Sequence, residues 1–296
     1  MKPNYSQKDL IAAIKEVGVV DGDIVLVHSD IVRLGIPEEY YYKRIHIGTI
    51  IYNAIKECIG DSGTIIVPTF SYSFCGMGED FSINETPSKV GSFSEDIRKH
   101  PSALRNDDPI FSFAAIGKKS EIIKFTGNNS FSPTSSAFKN FYDFNIKILL
   151  LGVFTFTGIH FGEQRIFAKH RYDKIFSGSV IERNGDVKKI RWIYPVRVNI
   201  KNTYPNLILL HEDCLKNGSI KKASNLPIYS GRFKDIIDTF EINVQADPWR
   251  YIAGPQCDLY AEDRRRTGEE HFDVRIPDTD TGDILYDALD SVIFRH

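Results

Sequence analysis

The apolar positions along the chain switch repeatedly between two periods. After Ser6, which stands where a helix N-cap is wanted, Leu10, Ile11, Ile14 and Val17 recur at helical spacing until Gly18 ends the run. Residues 23–28 (DIVLVH) are apolar at nearly every position and too few for a helix, so they read as a buried strand. The alternation then repeats. Residues 48–59 carry apolar side chains at helical spacing, Gly60-Asp61-Ser62-Gly63 makes a turn, and 64–67 form another short buried strand. A helix is expected over 92–99, strands over 110–116 and 147–153, and a helix over 158–169. The longest apolar run, 148–153, is strand-sized.

Short apolar strands separated by helices bury both faces of a sheet, which implies an α/β class: three-layer α/β/α with a mostly parallel central sheet. From Ser179 the pattern changes. Residues 179–183 and 187–198, joined at Asn184-Gly185, read as an added β-hairpin. Helical spacing returns over 206–215 and 230–240. From Gln245 the chain is polar, rich in Asp and Arg, and without period. The expected division is a domain over 1–244 and a C-terminal extension, 245–296, of unassigned role.

Composition narrows the function. The 296 residues, 42% hydrophobic and 26% charged, suffice for a sizeable core. A formal net charge of -2 gives no field to draw in nucleic acid or an anionic membrane. No run approaches the roughly 18 apolar residues of a membrane span, and residues 1–5 lack an apolar signal region. Cys58, Cys75, Cys214 and Cys257 are scattered with no CxxC pair, as reduced thiols of a cytoplasmic protein would be. The expected location is therefore cytoplasmic, with no nucleic-acid partner. A homodimer stays open.

The sharpest chemical feature is Thr157-Gly158-Ile159-His160-Phe161-Gly162-Glu163, just beyond the strand at 147–153. Ligands of parallel α/β sheets bind at the carboxyl ends of strands. His160 and Glu163 are three apart and share a helix face. A carboxylate beside an imidazole fixes its tautomer and raises its basicity, which suits a general base. The plain alternative is a solvated ion pair. His160, Glu163 and His170 could also be read as zinc ligands, but their spacing departs from two His at i and i+4, so no metal is expected. Three other polar clusters sit at strand ends or before a helix: His28-Ser29-Asp30, Pro68-Thr69-Phe70-Ser71, and 86–91 (TPSKVG). Their hydroxyls and N–H groups could face a phosphate-bearing ligand, or simply cap loops, with Ser88 as a helix N-cap. There is no Walker or GxGxxG loop.

Five stretches in one order carry a resemblance: LVHSDIVRLG (26–35), GTIIVPTFS (63–71), 86–117, ILLLGVFTFTGIHFGEQ (148–164), and RYDKIFSG with RWIYPVR within 171–197. Together they resemble the aminoglycoside 3-N-acetyltransferase (antibiotic N-acetyltransferase) family over about residues 6–240. The resemblance implies acetyl-CoA as donor and a small amine, an amino sugar, as acceptor. It implies His160 as catalytic base, Glu163 as its partner, and Thr69 near the acetyl group. It also implies that His28, Ser29, Pro87, Ser88, Lys89 and Val90 hold coenzyme A. Where the family usually reads Arg-Ser-x-His-Pro, this chain has Arg105-Asn106-Asp107-Asp108-Pro109, which puts Asp108 on the acceptor side and points to an amine other than a classical aminoglycoside, such as a nucleotide-linked amino sugar of polysaccharide biosynthesis. A non-catalytic binding module of the same fold and a metal-dependent hydrolase are the competing readings.

Overall fold

Ser6 and Asp9 close a capping box: Ser6 Oγ accepts the Asp9 N–H at 3.2 Å, and the Asp9 carboxylate accepts the Ser6 N–H at 2.8 Å. Helix α1 (Gln7–Glu16) follows, burying Leu10, Ala13 and Ile14. The computed structural model describes residues 3–75, 79–154, 156–168, 171–197 and 204–253. Its elements continue as β1 (Ile24–Ser29), α2 (Ile31–Leu34), α3 (Glu38–Lys43), α4 (Ile47–Ile59), β2 (Thr64–Pro68), β3 (Phe81–Ser82), α5 (Ser92–Arg98), β4 (Leu104–Arg105) and β5 (Phe113–Gly117). A 3-10 turn, Ser120–Ile123, leads to α6 (Ala137–Asp143), β6 (Lys147–Leu151), α7 (Ile159–Arg165), β7 (Arg171–Ile181) and β8 (Val187–Arg197). The described chain ends with β9 (Tyr204–Pro205), α8 (Leu207–Asn217), β10 (Ile220–Lys222), β11 (Ile228–Arg232), α9 (Phe233–Ala246) and β12 (Ile252–Ala253).

The main sheet has the order β10-β11-β6-β1-β2-β5-β4. Its centre, β6-β1-β2, is parallel, while β5 and β11 run against it and β4 and β10 turn back again. Five of the seven strands therefore share one direction, in keeping with the expected mostly parallel sheet. Alternate residues of the central strands feed two separate cores. Val25, Val27, Leu149 and Leu151 pack with α1 and α4 residues such as Ile14 and Ile55. Leu26, Ile66, Ile148 and Leu150 pack with Phe138, Phe161, Phe233 and Phe240 on the other face. Each fully buried Leu, Ile or Phe contributes about 1.5–3 kcal/mol by burial, so both helical layers are held by the same three strands. A second sheet, β3-β7-β8, holds the hairpin, whose register pairs Arg171 with Arg197 and Ile181 with Val187.

Several elements differ from the sequence expectation, among them the helix expected over 158–169, which spans Ile159–Arg165. The helix expected over 230–240 starts only at Phe233, because Ser230 pairs with Leu149 in the sheet. The strand expected from residue 110 starts at Phe113, because Ile110 and Phe111 donate their N–H groups to the Asp108 carboxylate and form a turn. The hairpin begins eight residues before Ser179, at Arg171. The expected boundary at 244/245 falls within the last turn of α9, and Tyr251 stacks back on Phe240 with ring centroids 5.5 Å apart. Residues 254–296 lie outside the described residues. Among the described residues, no helix is long and apolar enough to cross a membrane.

Candidate active site

Strand β6 ends at Leu151, and Gly152 turns the chain with a φ of 71°. A Cβ at Gly152 would come within 2.4 Å of the Asp30 carbonyl oxygen, so glycine lets the end of β6 lie against the start of α2. The chain then reaches α7. Gly162 seats this short helix on α9, since a Cβ there would stand 2.9 Å from Phe240 Cδ1. These contacts fix where His160 and Glu163 point.

His160 Nδ1 lies 2.6 Å from Glu163 Oε2, with the two side chains 16% and 3% exposed. A carboxylate only accepts, so this contact is a hydrogen bond in the tautomer with the proton on Nδ1, which leaves the lone pair on Nε2; Arg171 Nη2, 3.0 Å from the same nitrogen, is a competing donor. Arg171, the first residue of β7, places Nε 2.9 Å from the same Glu163 oxygen. Phe131 stands edge-on to the imidazole.

His160 faces a cleft of about 280 Å³ at the carboxyl ends of β1, β2 and β6. The cleft brings together four of the expected residues, His28, Ser29, Val90 and His160, with Pro68, Phe70 and Tyr72 on the β2 side and Phe156, Thr157 and Leu207 on another. His28 Nε2 is buried and has no hydrogen-bond partner. Burial pushes the His28 pKa down to about 4, so this ring meets a ligand uncharged.

Other expected residues are placed elsewhere. Thr69 is fully buried: its N–H donates to the Ser112 carbonyl at 2.7 Å, and its hydroxyl pairs with Ser112 Oγ at 3.0 Å. Ser112 Oγ already donates to the Thr69 carbonyl, so the Thr69 hydroxyl is the donor in that pair and points away from the cleft. Asp108 is 1% exposed and does not line the cleft. Its carboxylate holds the turn at Ile110 and Phe111, and burial pushes its pKa up to about 6. In the 86–91 loop the backbone N–H groups serve the loop itself. Ser88 donates to Glu95, Lys89 to the Phe70 carbonyl, and Val90 to Ser88 Oγ. Gly91, not Ser88, is the N-cap of α5. Pro87 and Lys89 are exposed, Lys89 standing 3.7 Å from Glu79. His170 lies outside the described residues, and among those described no cluster of three or more His, Cys, Asp or Glu could hold a metal.

Sequence reasoning gave no role to Arg171, Tyr72 or Phe131. Arg171 heads the quoted RYDKIFSG stretch, which was the available signal. Tyr72 follows directly on GTIIVPTFS and takes a left-handed backbone, φ 54°, because both Ser71 and Tyr72 donate to the Ile110 carbonyl. Phe131 carried no local pattern.

The fold is similar to that of solved aminoglycoside acetyltransferases. The AAC(3)-IVa apoenzyme is 20% identical and superposes with a TM-score of 0.69 over 90% of this chain and 99% of that one. AAC-VIa bound to sisomicin gives 18% identity and a TM-score of 0.68 over 83% and 98%. AAC-IIIb, a binary complex with CoASH, gives 15% and 0.67 over 86% and 100%. No curated protein matches the chain in sequence. The family model for aminoglycoside 3-N-acetyltransferase matches residues 26–239, and the chain belongs to that family. It is thus an acetyl-CoA-dependent N-acetyltransferase acting on a small amine.

Proposed function

We propose that His160 is the general base of this acetyl transfer and that the acceptor is an amino sugar. The observation that carries the reading is the 2.6 Å contact of His160 Nδ1 with Glu163 on the wall of the cleft. An ammonium has no lone pair, so the acceptor nitrogen must lose a proton as it attacks. Nε2 of His160 takes that proton, and Glu163 steadies the imidazolium. A base so placed contributes roughly 100- to 10,000-fold in rate.

Acetyl-CoA supplies the thioester and a thiol leaving group. The cleft suits its reactive end: His28 offers a buried, unpartnered Nε2, and Ser29 a hydroxyl, beside the apolar surface of Val90. The exposed Lys89 ammonium, 3.7 Å from Glu79, is the cation assigned to phosphate at the surface in place of the engaged loop N–H groups. With Thr69 turned away, the hydroxyls of Ser29, Tyr72 and Thr157 are the side-chain donors lining the cleft for the charge that develops on the acyl oxygen.

The lining supports this acceptor class. Among the described residues no carboxylate faces the cleft, whereas Phe70, Tyr72 and Phe156 do. Aromatic faces suit the apolar side of a sugar ring better than they suit a polycation. The test is thiol release from acetyl-CoA across a panel of amines, with amino sugars, nucleotide-linked amino sugars and classical aminoglycosides as separate arms. Turnover concentrated in the first two arms is expected. Turnover fastest on gentamicin-type drugs would overturn the acceptor assignment, and CoA binding with no turnover of any amine would favour a binding module.

A further inference from the structure

We propose that Arg171 is a positioning residue for the base: its guanidinium fixes Glu163 beneath His160 and sets how readily the imidazole takes and releases a proton. This rests on the reading of His160 as base. The Arg171 side chain is 4% exposed and the Glu163 side chain 3%. Nε reaches Glu163 Oε2 at 2.9 Å, and Nη2 stands 3.0 Å from His160 Nδ1. Nη1 donates to the Pro195 carbonyl at 3.3 Å, and Tyr194 hydrogen-bonds to the same side chain. The guanidinium thus ties α7 to both strands of the hairpin, as an ion pair with Glu163 through Nε and through the contacts of its two Nη atoms, an arrangement that a lysine ammonium has too few separate nitrogens to reproduce.

The charge arithmetic gives this contact a consequence. Glu163 and Arg171 together carry no net charge, so the neutral imidazole sits in a neutral setting. Glu163 favours the imidazolium, and the guanidinium, nearly in contact with Nδ1, opposes it. The two charges thus act against each other at Nδ1, and the guanidinium limits how far Glu163 can hold the ring as an ion pair. Among the described residues, the titratable and charged groups around this cluster include Asp173, bound to Gln164 on β7's side, Tyr194 on β8, Tyr72 and Cys75 after β2 with Lys174 acting on Cys75, and His28 at the end of β1.

The test is nuclear magnetic resonance titration of imidazoles in the full-length protein. The His160 signal among eight histidines is assigned by its loss in His160→Gln. Removing Arg171 alone takes a guanidinium partner from a buried carboxylate and threatens folding, so the informative pair is Glu163→Gln against Glu163→Gln/Arg171→Met. If the guanidinium acts on the ring, His160 titrates at least half a pH unit higher in the double variant. Arg171→Lys keeps the charge and loses the fork, so it is expected to titrate close to wild type while kcat falls about tenfold or more. Equal titration of the single and double variants overturns the proposal and leaves Arg171 a structural clasp. The titration needs no turnover, whereas activity of His160→Gln reports on the base assignment alone, so the two readings fail separately.

Discussion

Phe131 meets the His160 imidazole edge to face, with ring centroids 5.3 Å apart and planes at 89°. Phe131 is itself fully buried and stacks on Phe138 at 4.7 Å. The aromatic core under the sheet therefore extends without a break to the base, and core packing limits how the imidazole can turn. Phe131→Ala is expected to cost about 3–5 kcal/mol of stability, read by urea unfolding. Phe131→Leu, which keeps more of the volume, should cost less and still lower kcat, with CoA affinity measured by calorimetry nearly unchanged. Wild-type kcat in a folded Phe131→Leu protein would show that the packing does not orient the ring.

Tyr72 lines the same cleft in a left-handed backbone that an L-residue adopts only at a cost. Burial pushes its phenol pKa up to about 12, so it stays a donor throughout the working range. Tyr72→Phe keeps the ring and removes the donor. The expected loss in kcat is roughly 10- to 100-fold, in line with removal of a preorganised donor to a developing oxyanion. Steady-state kinetics decide it: an unchanged kcat would leave Ser29 and Thr157 as the candidates.

Much of this was legible in the sequence, for physical reasons that also mark where legibility stops. Periodicity located β1, β2, β6 and α4 because their burial is set by neighbours in the chain and by one sheet. The 157–163 motif was visible because His160 and Glu163 share one helical turn. Arg171 was not, since it reaches Glu163 only after the chain has left α7 and entered the hairpin. Thr69, Asp108 and Ser88 carry the right chemistry, but a sequence does not say which way a loop's donors point. In the fold Thr69 turns to Ser112, Asp108 to its own turn and Ser88 to Glu95 and Val90.

Asp108 also gives a prediction about pH. Its folded pKa is raised to about 6 from 3.8, chiefly by burial. Between those values the folded protein holds a proton that the unfolded chain has released, so this group's stabilising contribution is complete below about pH 4 and is lost by about pH 6. The loss is of the order of 3 kcal/mol. Asp108→Asn keeps an oxygen for the Ile110 and Phe111 N–H groups and removes the titration. His28 acts in the opposite sense, since its pKa is lowered to about 4, but it is common to both proteins and cancels in the comparison. Unfolding free energies at pH 4.5 and 7.5 should therefore show the variant gaining on wild type as pH rises. A difference constant with pH would mean that Asp108 is ionised throughout.

The pair on α7 separates catalysis from mere ion pairing. An exposed helix-surface pair contributes at most about 1 kcal/mol to stability and nothing to rate. Glu163, at 3% exposure and shared between His160 and Arg171, is not such a pair. If His160 Nε2 takes the proton from the amine, His160→Ala should lower kcat about 100-fold or more. CoA affinity should barely move, because the ring's work comes during attack and not on binding. Glu163→Gln should lower kcat less. The imidazole remains, but the amide gives Nδ1–H a weaker acceptor, takes from Arg171 the carboxylate it pairs with, and no longer steadies the imidazolium. Single-turnover rates for both variants, alongside circular dichroism to confirm folding, provide the measurement. A folded His160→Ala protein that keeps more than about a third of the wild-type rate would remove His160 from the mechanism and return the cleft to a binding role.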